Sequence, residues 1–565
     1  MSLSESYYQL DEREQTVWDG IIEQGISSWA DRFERLADLY TDKMVIECVH
    51  TKTRWSYRDL DRFADNIAGW AIRLRESRIG ICLNNSPEFL ASVLGLAKAG
   101  ITAVLFNTRE PSQRLDELAK KNQVKTVLTL NQPDEITAIL PKIQGVFNYD
   151  VARLLAIPWQ GRVTKVHRQQ ISLDDTAVVI FTSGTSGLSK GALFSHRRLI
   201  GAGIAWSLRN TFDQNTRCYI PLPLYHGNGL AVAFASCIEA GGTAVIRERF
   251  SVSAFLSDIR QYQCNSAVYI GELWRYLLNS KPQTNDADNP LKTVFGNGLS
   301  MDMWEAVTQR FAIDHVVEHF GATEMPASAL TNWFDVPGYC GFIPPEHAHA
   351  KNIVLVNSDN LVVPDGEAGE ALLRVPGGEY KGYLDESQNA AKVIKGLFGE
   401  DDLWWRSGDL LKRNTKGFFT FIDRLDGSFR WKGENVSTLD VEQAIYASGL
   451  VKEAVVYGVK IIGLPGKAGM ASIVPKDVMS EDSVNRLLDF LQKRLAPYAI
   501  PLLVRVMPDN HPTTTTLKIL KTRLAAESMK LLDKYPHFML INGTYHLKDA
   551  STLNKILTVE ESSRG

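Results

Sequence analysis

From about Trp55 onward, short apolar runs alternate with stretches in which apolar positions recur every three or four residues. That is the pattern of buried strands separated by amphipathic helices. Ile79-Gly80-Ile81-Cys82-Leu83 reads as a strand and leads into Asn84-Asn85-Ser86-Pro87-Glu88. There Ser86 has the side chain of an N-cap and Pro87 suits the first helical position. The spacing predicts a helix from Pro87 to Lys98, stopped at Gly100, then a strand over 101–106. Val127-Leu128-Thr129-Leu130 and Ala177-Val178-Val179-Ile180 supply two further strands. Alternation of this kind builds an α/β fold around a largely parallel sheet. Ahead of it, residues 1–40 show helical spacing, with Trp18, Ile21, Ile22 and Ile26 predicted to line one face.

A second α/β stretch runs from Cys218 to about Asn332. Beyond Val336 the pattern changes to short strands and turns, with Asp365-Gly366-Glu367-Ala368-Gly369-Glu370 the clearest turn cluster. It changes again near Arg424-Leu425-Asp426-Gly427, and the last stretch, about 140 residues, reads as a small α+β domain. Neither internal repeats nor low-complexity tracts interrupt the chain.

Composition narrows the options. With 565 residues, 44% of them hydrophobic and 22% charged, the chain can form several cores, about two to four compact units. Its 62 Lys+Arg and 65 Asp+Glu nearly cancel, which gives no general attraction to nucleic acid or anionic lipid. Cys48, Cys82, Cys218, Cys237, Cys264 and Cys340 form no C-x-x-C pair, which argues against a disulfide framework or a zinc site. No secretory leader pattern opens the sequence, and no run of 18 apolar residues occurs. The nearest approach, residues 230–246, is broken by Glu239 and Gly241-Gly242 and reads as a core helix passing into a strand. The expectation is a soluble, cytoplasmic chain that sits, at most, on a membrane surface.

Chemistry concentrates in Phe181-Thr182-Ser183-Gly184-Thr185-Ser186-Gly187-Leu188-Ser189-Lys190-Gly191, directly after a predicted strand. Glycines let backbone amides converge, hydroxyls donate and a lysine adds positive charge, so the loop suits phosphates, here those of ATP. A Walker A loop is excluded because Lys190 lies between Ser189 and Gly191. Gly187-Leu188-Ser189-Lys190-Gly191 matches the G-x-S-x-G of hydrolases, but Ser189 lies too far beyond the strand for a nucleophile elbow. A plain flexible Gly/Ser linker is the remaining bland reading. Further along stand Pro221-Leu222-Pro223-Leu224-Tyr225-His226, His319-Phe320-Gly321-Ala322-Thr323-Glu324, Ser407-Gly408-Asp409-Leu410, Asp423-Arg424-Leu425-Asp426 and Lys518. Singly, each of these is an ordinary core histidine, turn former or solvated charge. Their order and spacing set them apart.

Together they resemble the adenylate-forming enzymes: acyl-CoA synthetases, luciferases and peptide-synthetase adenylation domains. Ser189 stands where that family usually has proline. Phe250-Ser251-Val252-Ser253, the stretch from Tyr269 through Gly271 and Glu272 to Asn279, Gly296-Asn297-Gly298-Leu299 and Phe429-Arg430-Trp431-Lys432-Gly433-Glu434-Asn435-Val436-Ser437-Thr438 are similar to the fatty-acid transport proteins, or very-long-chain acyl-CoA synthetases. The resemblance covers residue 55 to the end. Departures are the missing N-terminal anchoring helix of the animal members, a short linker over 73–79, Ile500 for arginine, and Thr514-Thr515-Thr516-Leu517-Lys518 for a Gly-containing turn.

The resemblance implies a large α/β N-terminal domain over 1–422 with a small β subdomain, a hinge over 423–427 centred on Asp426, and a mobile α+β C-terminal domain over 428–565. It implies ATP, Mg²⁺ and CoA together with a small-molecule carboxylic acid, and an AMP-forming acid–thiol ligase acting on a medium- to very-long-chain fatty acid. Thr182, Ser183, Gly184, Thr185, Ser186, Gly187 and Lys190 would hold the leaving pyrophosphate. Thr323 would touch the α-phosphate, Glu324 Mg²⁺, Asp409 and Arg424 the ribose, and Gly296 and Gly298 the adenine. Lys518 would bridge the carboxylate and the α-phosphate. Arg430, Lys432, Gly433 and Glu434 would form the CoA channel, and His226, Gly227, Tyr269 and Gly271 part of the acyl pocket. The alternatives are a ligase for a bile-acid-like, carnitine-like or secondary-metabolite acid, and a fatty-acid uptake or trapping factor with secondary catalysis.

Overall fold

In the computed structural model of the chain the predicted cap at Ser86 forms: its Oγ accepts from the Phe89 amide at 3.2 Å and Pro87 takes the first turn. The helix Pro87–Ala99 stops at Gly100, whose φ of 70° a glycine adopts without a steric penalty. All residues are described except 1, 131–145, 164–169, 183–188, 327–329, 426–428, 432–433, 463–465, 512, 514–520, 528–530 and 559–565. The strands Arg78–Ile81 and Thr102–Leu105 on either side of that helix pair in parallel.

The chain divides into two compact units, the first made of Met1–Asn352, Leu373–Trp405 and Lys416–Phe418. One of its sheets runs Phe147–Asp150, Thr126–Thr129, Arg78–Ile81, Thr102–Leu105, Thr176–Thr182, Lys190–Ser195. Only the last pairing, between Thr176–Thr182 and Lys190–Ser195, is antiparallel. A second sheet places six parallel strands between two antiparallel edge strands, Arg54–Ser56 and Leu330–Asn332. Its central strands, such as Ser266–Ile270, are buried along their whole length, which explains their continuous apolar sequence.

The helices between strands pack tightly. A Cβ on Gly95 would meet the Ala64 carbonyl oxygen at 2.7 Å, so Pro87–Ala99 and Tyr57–Leu74 can lie this close only with glycine there. Lys98, wholly buried, ion-pairs with Glu34 at 2.9 Å and with Asp61 and Asp65 at 2.7 Å. Burial opposes its charge, but the three carboxylates outweigh burial and raise its pKa. Residues 230–246 follow the expected course: a π-helix Asn228–Phe234, the short α-helix Ala235–Glu239 and the strand Thr243–Ile246. Among the described residues no helix is long and apolar enough to cross a membrane. In the first helix, Leu3–Glu23, Ile21 is buried, as are Tyr7 and Leu10, but Ile22 is 57% exposed, against the expected shared face. At 3.6 residues per turn the neighbour of Ile21 points well away from its line.

The second unit comprises Ile353–Leu372, Arg406–Thr415 and Phe419–Gly565. The strands Leu403–Arg413 and Phe418–Arg424 pair antiparallel, with Asp409 opposite Arg424. The last part is the expected α+β body: a sheet in the order Thr544–Lys548, His537–Ile541, Leu503–Val506, Ala468–Pro475, Val451–Ile461, Leu557–Thr558, with the helices Thr438–Ala447 and Glu481–Gln492. Ile445, Val456, Met470, Leu487 and Leu491 belong to its core.

Candidate active site

Thr182 and Lys190 face each other across the antiparallel pair, and Thr182 Oγ1 donates to the Lys190 carbonyl at 3.3 Å. The hydroxyl-rich loop therefore leaves and re-enters the sheet at one edge. Lys190 opens a strand rather than a helix, so neither a Walker A loop nor a nucleophile elbow has its required context. The calls on Ser183, Gly184, Thr185, Ser186 and Gly187 lie outside the described residues.

Lys190 and Glu324 are brought together by a residue that no motif flagged. The Lys190 ammonium lies 5.4 Å from the ring centre of Tyr383, and the Tyr383 hydroxyl donates to Glu324 Oε1 at 2.8 Å. Tyr380 donates to the Glu324 carbonyl at 2.9 Å, which fixes the backbone beside Thr323. Arg198 donates to the Ala322 carbonyl at 3.3 Å and lies over the Phe194 ring. Burial lowers the Arg198 pKa, while Glu324 and Tyr380 pull it back up. Among the described residues no side chain donates to Glu324 Oε2, so this half-buried carboxylate has an oxygen to offer a hard cation. The donor chemistry fits Mg²⁺.

The Gly296–Leu299 segment is held from below. Glu318, wholly enclosed, accepts from Leu299 N at 2.9 Å, from Gly298 N and from the Tyr269 hydroxyl. Tyr269, expected in the acyl pocket, is itself buried with its hydroxyl committed to Glu318. A Cβ on Gly296 would meet the Tyr269 carbonyl oxygen at 2.1 Å, and one on Gly271 the Gly298 oxygen at 1.9 Å. These glycines therefore serve close backbone-to-backbone approach. His226 and Gly227 are half-buried, and Asn228 next to them donates to Asn297 Oδ1 at 2.8 Å. Asn85 latches the preceding turn by accepting from Leu224 N at 2.7 Å and donating to the Leu222 carbonyl at 2.8 Å. The segments expected to form the acyl wall and the adenine face thus touch through Asn228 and Asn297. His319 packs against Trp206, and burial pushes its pKa down to about 4, which keeps the ring neutral.

In the second unit Arg424 Nε lies 3.3 Å from Asp409 Oδ1. Gly408, at φ 75°, donates to Glu370, which also pairs with Arg406. Asp423 accepts from Thr438 N at 2.6 Å and Thr438 Oγ1 at 3.2 Å, and Lys521 Nζ donates to the same Oγ1 at 2.8 Å. Lys521 also pairs with buried Glu442 at 2.7 Å, so the start of the helix after Lys518 is anchored to the Asp423 motif. Asp426, Lys432, Gly433 and Lys518 lie outside the described residues. Arg430 and Glu434 fall on two short strands, Phe429–Trp431 and Glu434–Val436, paired antiparallel.

Two other constellations imitate known chemistry. His511 bonds Glu453 at 2.9 Å and Ser472 at 3.0 Å, the spacing of a hydrolytic triad. Ser472 is wholly buried and Arg505 donates to it, so this is a structural network. Asp11, His347 and His349 bring ligand atoms within 4.8 Å of one another. His347 Nδ1, however, accepts from the His349 amide, which leaves the ring proton on Nε2 facing Asp11: a tie for the first helix.

Sequence reading missed Tyr383, Tyr380, Arg198, Glu318, Asn85 and Asn228. Glu318 alone carried a signal, as an acid inside the apolar run Val316-Val317-Glu318.

The profile of the family described as AMP-binding enzyme matches residues 33–384, and that of its C-terminal domain matches 440–518. Human long-chain fatty acid transport protein 1 is 32% identical over 534 residues, covering 88% of this chain and 81% of that protein. The medium/long-chain-fatty-acid–CoA ligase FadD6 of Mycobacterium tuberculosis is 32% identical over 454 residues, covering 77% and 75%. ATP-bound MatB from Rhodopseudomonas palustris superposes with a TM-score of 0.75 at 24% identity, over 89% of this chain and 99% of that one. The Bacillus subtilis O-succinylbenzoate CoA synthetase, solved with ATP and magnesium, gives 0.72 at 22%, over 88% and 99%, which bears on the fold alone. The chain belongs to the AMP-binding, adenylate-forming enzymes, in the neighbourhood of the fatty-acid transport proteins.

Proposed function

We propose that this enzyme is an AMP-forming acid–thiol ligase that turns a medium- to very-long-chain fatty acid, ATP and CoA into acyl-CoA, AMP and pyrophosphate. The observation that carries the reading is the meeting of Lys190 and Glu324, from two distant motifs, at Tyr383. A cation and a carboxylate gathered at one aromatic ring suit the end of a triphosphate held with Mg²⁺. The fatty acid is suggested by the relatives named for such substrates.

In the first step a carboxylate oxygen attacks the α-phosphorus, and the bond to the bridging oxygen of pyrophosphate breaks. In the second the CoA sulfur attacks the acyl carbonyl and AMP leaves. Positioning and charge neutralisation carry most of the catalysis in such transfers. Thr182, Ser183 and Thr185 with Lys190 hold the leaving phosphates, and Thr323 the α-phosphate. Glu324 would hold Mg²⁺, which supplies positive charge against the phosphate oxygens when bound. Asp409 accepts from the ribose hydroxyls, Arg424 adds a donor, and Lys518 bridges carboxylate and α-phosphate.

The test is pyrophosphate release across carboxylic acids graded in length and polarity, with and without CoA. Release that requires the acid, is sustained over many turnovers only with CoA, and is fastest with longer fatty acids, is expected. Acyl binding without turnover would instead establish a carrier, and preference for a short polar acid would move the substrate class.

A further inference from the structure

We infer that Tyr383 is a positioning residue that sets Glu324 for the metal and Lys190 for the phosphates at once. The inference rests on the ligase reading above. The side chain is built to hold its place. Leu193 N donates to the Gly382 carbonyl and Leu384 N to the Gly191 carbonyl, both at 2.9 Å, so residues 382–384 lie antiparallel against the strand that Lys190 opens. Asn389 closes the other side, accepting from Tyr383 N at 2.9 Å and donating to the Tyr383 carbonyl at 3.2 Å. The ring is 3% exposed. With the backbone held on both sides, its hydroxyl donates to Glu324 Oε1. That bond orients the carboxylate and leaves Oε2 as the oxygen offered to a cation. The face of the same ring lies beside the Lys190 ammonium, an attraction that holds the lysine without neutralising it. One aromatic side chain thus fixes the spacing between the two charges that a metal–triphosphate pair must match.

Partners of metal ligands in the outer shell commonly change metal affinity by about 10–100-fold when removed. Tyr383→Phe keeps the ring beside Lys190 and removes the hydroxyl that bonds Glu324. Binding of Mn²⁺ with a non-hydrolysable ATP analogue, followed by electron paramagnetic resonance, separates metal from nucleotide affinity. We expect Mn²⁺ to bind Tyr383→Phe about tenfold more weakly. Nucleotide affinity at saturating Mn²⁺ should stay within about twofold of the parent. Tyr383→Leu, which also removes the ring, should weaken the nucleotide as well. In a Glu324→Gln background, Tyr383→Phe should add nothing. Unchanged Mn²⁺ affinity in Tyr383→Phe, an equal loss for metal and nucleotide, or a full additional loss in the Glu324→Gln background would each overturn the inference. If the parent enzyme bound no Mn²⁺ with the nucleotide, the ligase reading itself would fall.

Discussion

A carboxyl group sealed from water keeps its proton unless its hydrogen bonds repay the lost hydration. Glu318 is such a group: burial pushes its pKa from 4.5 up to about 8, against the bonds from Tyr269, Leu299 and Gly298 that favour the anion. Between those two values the folded chain holds a proton that the unfolded chain has released. Stability from this group is therefore greatest at or below pH 4.5 and falls as pH rises towards 8, by at most about 1.4 kcal/mol per pH unit. Glutamine can still accept from the two amides and meet the Tyr269 hydroxyl. We expect Glu318→Gln to flatten the melting temperature against pH between 5 and 8 relative to the parent, and parallel curves would exclude the assignment. Lys518 is proposed to act on the reaction. In the proposed mechanism it stabilises charge only while AMP is being transferred, and losing one such donor commonly costs about 10²–10³ in rate. Lys518→Ala should therefore abolish acyl-AMP formation yet still let supplied acyl-AMP react with CoA. An equal fall in both half-reactions would remove Lys518 from the first step.

Three helices, Trp29–Tyr40, Tyr57–Leu74 and Pro87–Ala99, share the buried Lys98. Asp61 and Asp65 stand one turn apart and would repel each other without it, and Arg162 reaches only the outer side of the cluster, at Asp61. Removing one partner of a buried ionic group commonly destabilises by about 3–5 kcal/mol. Lys98→Met should lower the urea midpoint accordingly, and adding Asp65→Asn should restore part of the loss by relieving the stranded charge. If Lys98→Met unfolds with the parent's midpoint, the cluster does not tie these helices. None of this is legible in the sequence, because the partners of Lys98 lie on two other helices. What could be read was local: the Ser86 cap, the Gly100 stop and the apolar strands depend on neighbours in sequence. The same division runs through the site. Lys190, Glu324 and Asp409 stand out in the sequence because their motifs are contiguous, whereas Tyr383 and Glu318 make their contacts with partners distant in the chain. Ile22 failed by a single position, the resolution at which helical spacing alone blurs.

At the scale of the whole molecule, one chain must perform two reactions that need different neighbours for the same acyl group. The proposed division, 1–422 and 428–565 about a hinge at 423–427, lets the second domain present Lys518 for adenylation and then the 430–434 stretch for CoA. Lys521 holds Thr438 and Glu442, which joins the chain just after Lys518 to the first helix beyond the hinge. A hinge residue must absorb a large backbone rotation, and proline locks φ near −65°. Asp426→Pro should therefore leave one half-reaction intact and stop the other. If the locked form is the adenylating one, burst formation of acyl-AMP will match the parent while thioester formation is lost. Mixing Asp426→Pro with Lys518→Ala should then restore acyl-CoA synthesis in solution, because one variant releases the adenylate that the other can still consume. Steady-state acyl-CoA synthesis by Asp426→Pro alone at the parent's rate would show that the chain completes both steps without turning at this residue.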